Sequence, residues 1–257
     1  MPRLTASVMG SIRGVATACL LAFALTAGAT EIEFAGRTWQ VRANTGGPGP
    51  NTFDSGNVYV DANGYLHLGI VYRDGVWTCA EVMTNERFGF GTYQFQILGR
   101  PDRMDDNVVL GLFDYTVPGE TGPDGTNEVD IEFATWGGAQ TQHLNYAVWP
   151  AVPGFAPVSR AVDATMAGDT STHRFVRGIN YVLFESLNGW QDGDDGVYAR
   201  SSYTSLDYEQ RIPQQAIPVH INLWLVNGLA PTDGQQVEVV VTDFKFIEGP
   251  AFWSGFE

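Results

Sequence analysis

The sequence is poor in cysteine, in positive charge and in anything that reads as a helix. Its two cysteines are Cys19 and Cys79. Cys19 lies in an N-terminal stretch built like a secretory signal. Arg3 and Arg13 supply positive charge, Gly14 to Ala29 form an apolar run, and Ala27-Gly28-Ala29 reads as an A-x-A cleavage site. Cleavage there removes residues 1–29, starts the mature chain at Thr30, and predicts a secreted protein, extracellular or periplasmic. The strongest apolar run follows Cys19 instead of preceding it, which argues against lipidation. Cys79 is then the only cysteine left, which excludes an intramolecular disulfide, so burial must hold the fold together. Cys79 itself is expected to be a small buried apolar side chain. No later apolar run is long enough to span a bilayer as a helix.

Basic residues number 14 against 29 acidic ones, for a net charge of -15. Removing Arg3 and Arg13 makes the mature chain more negative still. Such a surface repels phosphate backbones and anionic lipid, so neither nucleic acid nor membrane is an expected partner. A neutral polysaccharide fits this charge better than an acidic one. The four histidines show no zinc-ligand spacing.

Short alternating runs separated by Gly, Pro, Asn and Asp make up most of the rest. Asn57 to Val60, the turn Asp61-Ala62-Asn63-Gly64 and Tyr65 to Leu68 read as a hairpin. Thr92 to Ile97, Asn107 to Tyr115, His143 to Trp149, His220 to Val226 and Val237 to Phe246 also alternate. The pattern predicts an all-β, antiparallel two-sheet sandwich filling residues 30–257 as one domain, and a monomer is expected. The segments Glu120 to Asn127 and Gln191 to Gly196 read as exposed loops.

The chemistry concentrates in Glu128-Val129-Asp130-Ile131-Glu132. Alternate residues of a strand share a face, so three carboxyl groups stand together while Val129, Ile131 and Phe133 turn to the core. Crowded like charges raise one another's proton affinity, and general acid catalysis needs a carboxyl that is still protonated near neutrality. A solvated acidic strand face is the plainer reading. The uniformly apolar opposite face and the nearby Trp136 favour a sugar site, where ring faces stack on sugar CH groups. On a flat strand the outer carboxylates lie about 13 Å apart at Cα, so joint action requires a concave sheet. Other candidates follow from the same alternation. Asn145 and Trp149 share a face with His143, Trp224 shares one with Asn222, and Trp77 is expected to share one with Glu81. For Trp77 and His143 an ordinary structural role is equally consistent with the sequence.

Glu-Val-Asp-Ile-Glu-Phe at 128–133 resembles the signature of glycoside hydrolase family 16, the concanavalin-like jelly rolls that include lichenases and laminarinases. Asn107 to Tyr115, Phe88 to Tyr93, His143-Leu144-Asn145-Tyr146, Thr172-His173-Arg174-Phe175 and Ile221-Asn222-Leu223-Trp224 follow in the family's order, from about residue 34 to 247. The resemblance implies a β-glucanase with a concave cleft and retention at the anomeric carbon. It makes Glu128 the nucleophile, Glu132 the general acid/base and Asp130 the group between them. It places Phe113 and Tyr115 along the cleft, makes His173 structural, and puts Asp243 where many relatives bind a structural calcium; catalysis itself needs no cofactor. The single residue between Asp130 and Glu132 leans towards mixed-linkage β-1,3-1,4-glucan over β-1,3-glucan. A transglycosylase would use the same residues, and a lectin-like binding protein would share the sandwich. Leu110 and Leu112 stand where relatives often carry Trp, and Trp149 to Asp169 has no clear counterpart.

Overall fold

The alternating runs form strands of two antiparallel sheets packed face to face, as seen in a computed structural model that describes residues 30–163 and 165–249. Residues 1–29, with the expected signal and cleavage site, lie outside the described residues. The cleft sheet runs, in spatial order, Thr30–Phe34, Arg37–Val41, Ala80–Thr84, Val219–Leu225, Val108–Asp114, Glu128–Phe133, Leu144–Trp149 and Val158–Val162. The back sheet runs Val197–Thr204, Tyr181–Asn188, Thr170–Arg177, Gly91–Leu98, Val237–Glu248, Leu66–Arg73 and Val58–Val60, with Val76–Thr78 also paired to Leu66–Arg73. The described residues contain one α-helix, the four-residue Tyr208–Arg211. This is a jelly-roll sandwich.

The core lies between the sheets. Leu110, Leu112, Val129, Ile131, Phe133 and Leu223 project from the cleft sheet and are completely buried. Tyr93, Phe95, Phe175 and Phe244 meet them from the back sheet, with Tyr93 stacked on Phe175 at 4.5 Å. Because the inward-facing residues are apolar, the alternate residues of the same strands are left to form the outer face of the cleft sheet.

The structure departs from three sequence expectations. Trp77 and Glu81 do not share a face: Val76–Thr78 belongs to the back sheet and Ala80–Thr84 to the cleft sheet. The chain changes sheets at Cys79, and the two-residue period breaks there. Cys79 is fully buried, which pushes its thiol up to about 12. Glu120 to Asn127 is only partly exposed, because Thr121, Thr126 and Asn127 are buried. Asn127, at φ 54°, donates from Nδ2 to the carbonyls of Thr121 (3.3 Å) and Ala151 (3.1 Å) and so fixes the entry to Glu128. Finally, Val158–Val162, within the stretch that lacked a counterpart, adds an exposed edge strand beside Leu144–Trp149.

Candidate active site

Strand register brings the site together. Glu132 lies opposite Gly111, which lies opposite Asn222, which lies opposite Glu81. One row over, Asp130 lies opposite Phe113, then His220, then Met83. Glu128 pairs with Trp149. All of these but Gly111 form the floor of a cleft of about 980 Å³ that crosses the strands from Trp149 to the Arg42–Pro48 segment, with Tyr115 to Gly125 along one side. All three carboxyl groups line it, which meets the expectation of a recessed sheet face.

Burial pushes all three acids up. Glu128 is raised to about 8 by desolvation, with Glu132 and Asp114 adding to the shift and a hydrogen bond with Asp130 opposing it. Asp130 is raised well above the usual carboxylate range by desolvation and by Glu128, against an opposing hydrogen bond from Trp149. Glu132 is raised well above its usual range by desolvation and by Asp130. Glu128 and Glu132 still keep some contact with solvent, because they sit at the bottom of an open cleft with protein on every other side. Three neighbouring carboxylates cannot all ionise near neutrality, so the triplet titrates as one unit that holds protons.

The aromatic residues frame the acids. Trp136 and Trp224 line the cleft with their rings 6.2 Å apart, at the opposite strand ends from Tyr115, and Trp149 lines it too. Trp136 sits at φ 57°, a conformation bulky residues seldom adopt. Its indole Nε1 lies 3.4 Å from Asn145 Oδ1, which also accepts from Gln140 Nε2 at 2.8 Å. Asn145 Nδ2 donates to the carbonyl of Ala134 at 3.0 Å. Asn145 is therefore spent on holding Trp136, and it lies outside the cleft lining where sugar contact was expected. The Tyr115 phenol donates to Asp124 Oδ1 (2.6 Å) and accepts from Gly125 N–H (2.8 Å), cross-linking the two ends of that side wall.

Glu81 reaches the cleft, but both its oxygens are engaged. Oε1 takes His220 Nδ1 at 2.9 Å and Oε2 takes Arg42 Nη1 at 2.7 Å. Burial pushes Glu81 up, but His220 and Arg42 outweigh that and hold it below its usual range. His220 also stacks on Phe113 at 5.1 Å. The sequence reading missed His220, although the alternation that placed Asn222 and Trp224 on the cleft face places it there too. It also missed Arg42 and Gly111, which have no local signal, since only strand order brings them to the site.

Other expected residues lie elsewhere. Trp77 packs against Tyr72 at 5.2 Å, away from the cleft. His143 precedes its strand and does not line the cleft. His173 is buried between Ser186 and Ser171, and desolvation lowers it to about 3, so it stays neutral and structural. Asp243 lies at a bulge with Lys245 Nζ 3.6 Å from its carboxylate. Among the described residues no group of three or more His, Cys, Asp or Glu side chains gathers around a common point. Asp243 shares Lys245 with Asp192, and a carboxylate facing a lysine is a poor fit to calcium, which takes several oxygen ligands.

A jelly roll whose recessed sheet carries three acids among tryptophans is the class that the fold and the site define. No family model matches the sequence, and no curated protein matches it either. Solved structures do match. The β-glucanase of Bacillus licheniformis aligns at TM-score 0.61 and 19% identity, over 87% of this chain and 100% of that one. The Bacteroides ovatus mixed-linkage-glucan PUL GH16 protein, solved with a G4G4G3G product, aligns at TM-score 0.61 and 15% identity, over 81% and 94%. An immunostimulatory antigen and pseudo β-1,3-glucanase of Mycobacterium tuberculosis aligns at TM-score 0.58 and 19% identity, over 82% and 91%. The chain thus has the fold of the family 16 β-glucanases.

Proposed function

We propose that the protein is a secreted, endo-acting glycoside hydrolase that cleaves mixed-linkage β-1,3-1,4-glucan or β-1,3-glucan with retention of configuration. One observation carries the reading: three proton-holding carboxyl groups of a single strand share the floor of a cleft framed by Trp136, Trp149 and Trp224. Glu128 attacks the anomeric carbon once the triplet has given up a proton. Glu132, kept protonated by burial, donates to the departing glycosidic oxygen and then takes a proton from the incoming water. Asp130 exchanges a hydrogen bond with Glu128 as charge moves between them. Tryptophan faces stack on the sugar rings, and the open cleft admits a chain at an internal position.

The mature protein should be incubated with lichenan, laminarin, xyloglucan and agarose, in parallel with Glu128→Gln and Glu132→Gln. We expect lichenan or laminarin to be cut, and both variants to lose at least about 1,000-fold in rate. Unchanged rates in both variants would remove the mechanism. Sugar binding without turnover of any polymer would favour a lectin-like protein, and products joined to added oligosaccharide acceptors a transglycosylase.

A further inference from the structure

Beneath the acid triplet, on the core side of the sheet, lies a charged pair that the mechanism above does not use. Asp114 ends the strand next to Glu128–Phe133, and its side chain is 0% exposed. Its Oδ1 accepts the backbone N–H of Val129 at 2.9 Å, at the peptide joining Glu128 to Val129. Its Oδ2 stands 3.3 Å from Nη1 of Arg177, which comes from the back sheet and is equally buried. Arg177 is locked in place, since its Nη2 donates to the carbonyls of Phe88 (2.6 Å) and Gly89 (3.0 Å) and to Tyr93 Oη (2.7 Å). The pair is not well satisfied. Asp114 Oδ2, Arg177 Nη1 and Arg177 Nε are all buried, and none makes an aligned hydrogen bond. A buried ion pair with unmet hydrogen-bonding capacity does little for stability and is replaceable by apolar packing. Its position, one strand spacing from the nucleophile candidate and bonded to that strand's backbone, gives it a different use.

We propose that Asp114 is a positioning residue whose buried charge, held by Arg177, governs how readily Glu128 and Asp130 release their proton. This rests on Glu128 being the nucleophile. Two negative groups in a poorly screened region each oppose the ionisation of the other. Asp114 lies opposite Val129, so Glu128 and Asp130 flank its partner while Glu132 stands three residues further along the strand; Asp114 acts in that direction on the two near acids. Desolvation raises Asp114 itself to about 6, with Arg177, the Val129 N–H and His220 opposing. The charged or titratable groups facing it are thus Arg177 and Tyr93 from the back sheet, His220 from the strand on one side, and Glu128 and Asp130 from the strand on the other. The expected signature is asymmetric: Asp114 shifts the ionisation of the nucleophile and leaves that of the acid/base alone.

The test compares the wild type with Asp114→Asn, which keeps an oxygen for the Val129 N–H but removes the charge, and with Asp114→Ala, which removes both. The carboxyl groups are followed by carbon-13 NMR titration, and kcat/KM on lichenan is measured against pH. In Asp114→Asn we expect the Glu128 titration and the acidic limb to move down by about one pH unit, with the basic limb unmoved. If Asp114→Asn titrates like the wild type while Asp114→Ala loses activity, Asp114 is only a strand anchor and the proposal fails. Parallel shifts of both limbs would also overturn it. The NMR arm needs no turnover, so an inactive protein whose Glu128 still shifts would sink the hydrolase reading and leave the electrostatic one standing. Should Asp114→Asn fold poorly, Arg177→Lys supplies the second variant. Moving the cation away raises Asp114 as well, so the two acids compete more strongly for protons; the combined Asp114–Glu128 titration should lie higher than in the wild type, and a combined titration that moves down or stays put counts against the proposal.

Discussion

Gly111 lies directly under the side-chain amide of Asn222. A Cβ at position 111 would stand 2.4 Å from Asn222 Oδ1 and 3.3 Å from Phe113 Cδ1. Any larger residue at this point must push the Asn222 amide aside, on the row that joins Glu132 to Glu81. We expect Gly111→Ala to cost about 1–3 kcal/mol through overpacking and to lower kcat/KM at least about tenfold by displacing Asn222. Thermal unfolding and lichenan kinetics check both parts. Gly111→Ala with unchanged kinetics would show that the amide has no part in the reaction.

Glu128 opposes stability as pH rises. Its folded-state value of about 8 lies above the unfolded value of 4.5. Below about 4.5 it is protonated in both states and contributes nothing. Between 4.5 and 8 the unfolded chain releases a proton that the folded chain retains, so stability falls across that window. Glu128→Gln should therefore raise Tm by a few degrees at pH 8 and by almost nothing at pH 4. Calorimetry at the two pH values decides this, and an equal gain at both would mean that packing, not charge, is responsible.

Glu81 has the opposite sign. Its value is depressed in the folded protein, so its contribution is present above the unfolded value and is lost as pH falls through the folded one. Replacing it with Ala leaves His220 and Arg42 without their shared acceptor. A loss of roughly 2–4 kcal/mol follows from the unpaired groups left behind at a nearly buried site. Glu81→Gln, which can still accept from His220, should lose about half as much by urea denaturation.

Asn145 should matter for binding through Trp136 alone. With the Nε1 contact gone, the strained φ of Trp136 is free to relax and the indole leaves its place beside Trp224. Asn145→Ala should raise KM on lichenan about threefold to tenfold, with kcat changed less than about twofold. A fall in tryptophan-fluorescence quenching by bound oligosaccharide would accompany it.

The sequence makes strands and faces readable wherever the two-residue period is unbroken. Val129, Ile131 and Phe133 point inwards and Glu128, Asp130 and Glu132 outwards, as alternation requires. Trp77 and Glu81 were misjudged because the chain leaves one sheet for the other at Cys79, and nothing in the local composition marks that step. Asn145 was on the predicted face, yet alternation cannot show that Ala134, Gln140 and Trp136 already occupy its hydrogen-bonding atoms. Arg42 and Arg177 lie far from the triplet in sequence and reach its surroundings only through strand order and sheet packing, which no local pattern encodes.

The cleft floor takes side chains from Arg42 to Trp224, delivered by strands that are neighbours in space and strangers along the chain. No hairpin or fragment holds both a carboxyl of the triplet and the His220–Glu81 pair. A partly assembled sheet can therefore hold the triplet without the His220–Glu81 pair, and so lacks the complete cleft floor. Such non-local pairing is slow to form. Recovery of activity during refolding should consequently lag behind the return of strand signal, and arrive as a single late event.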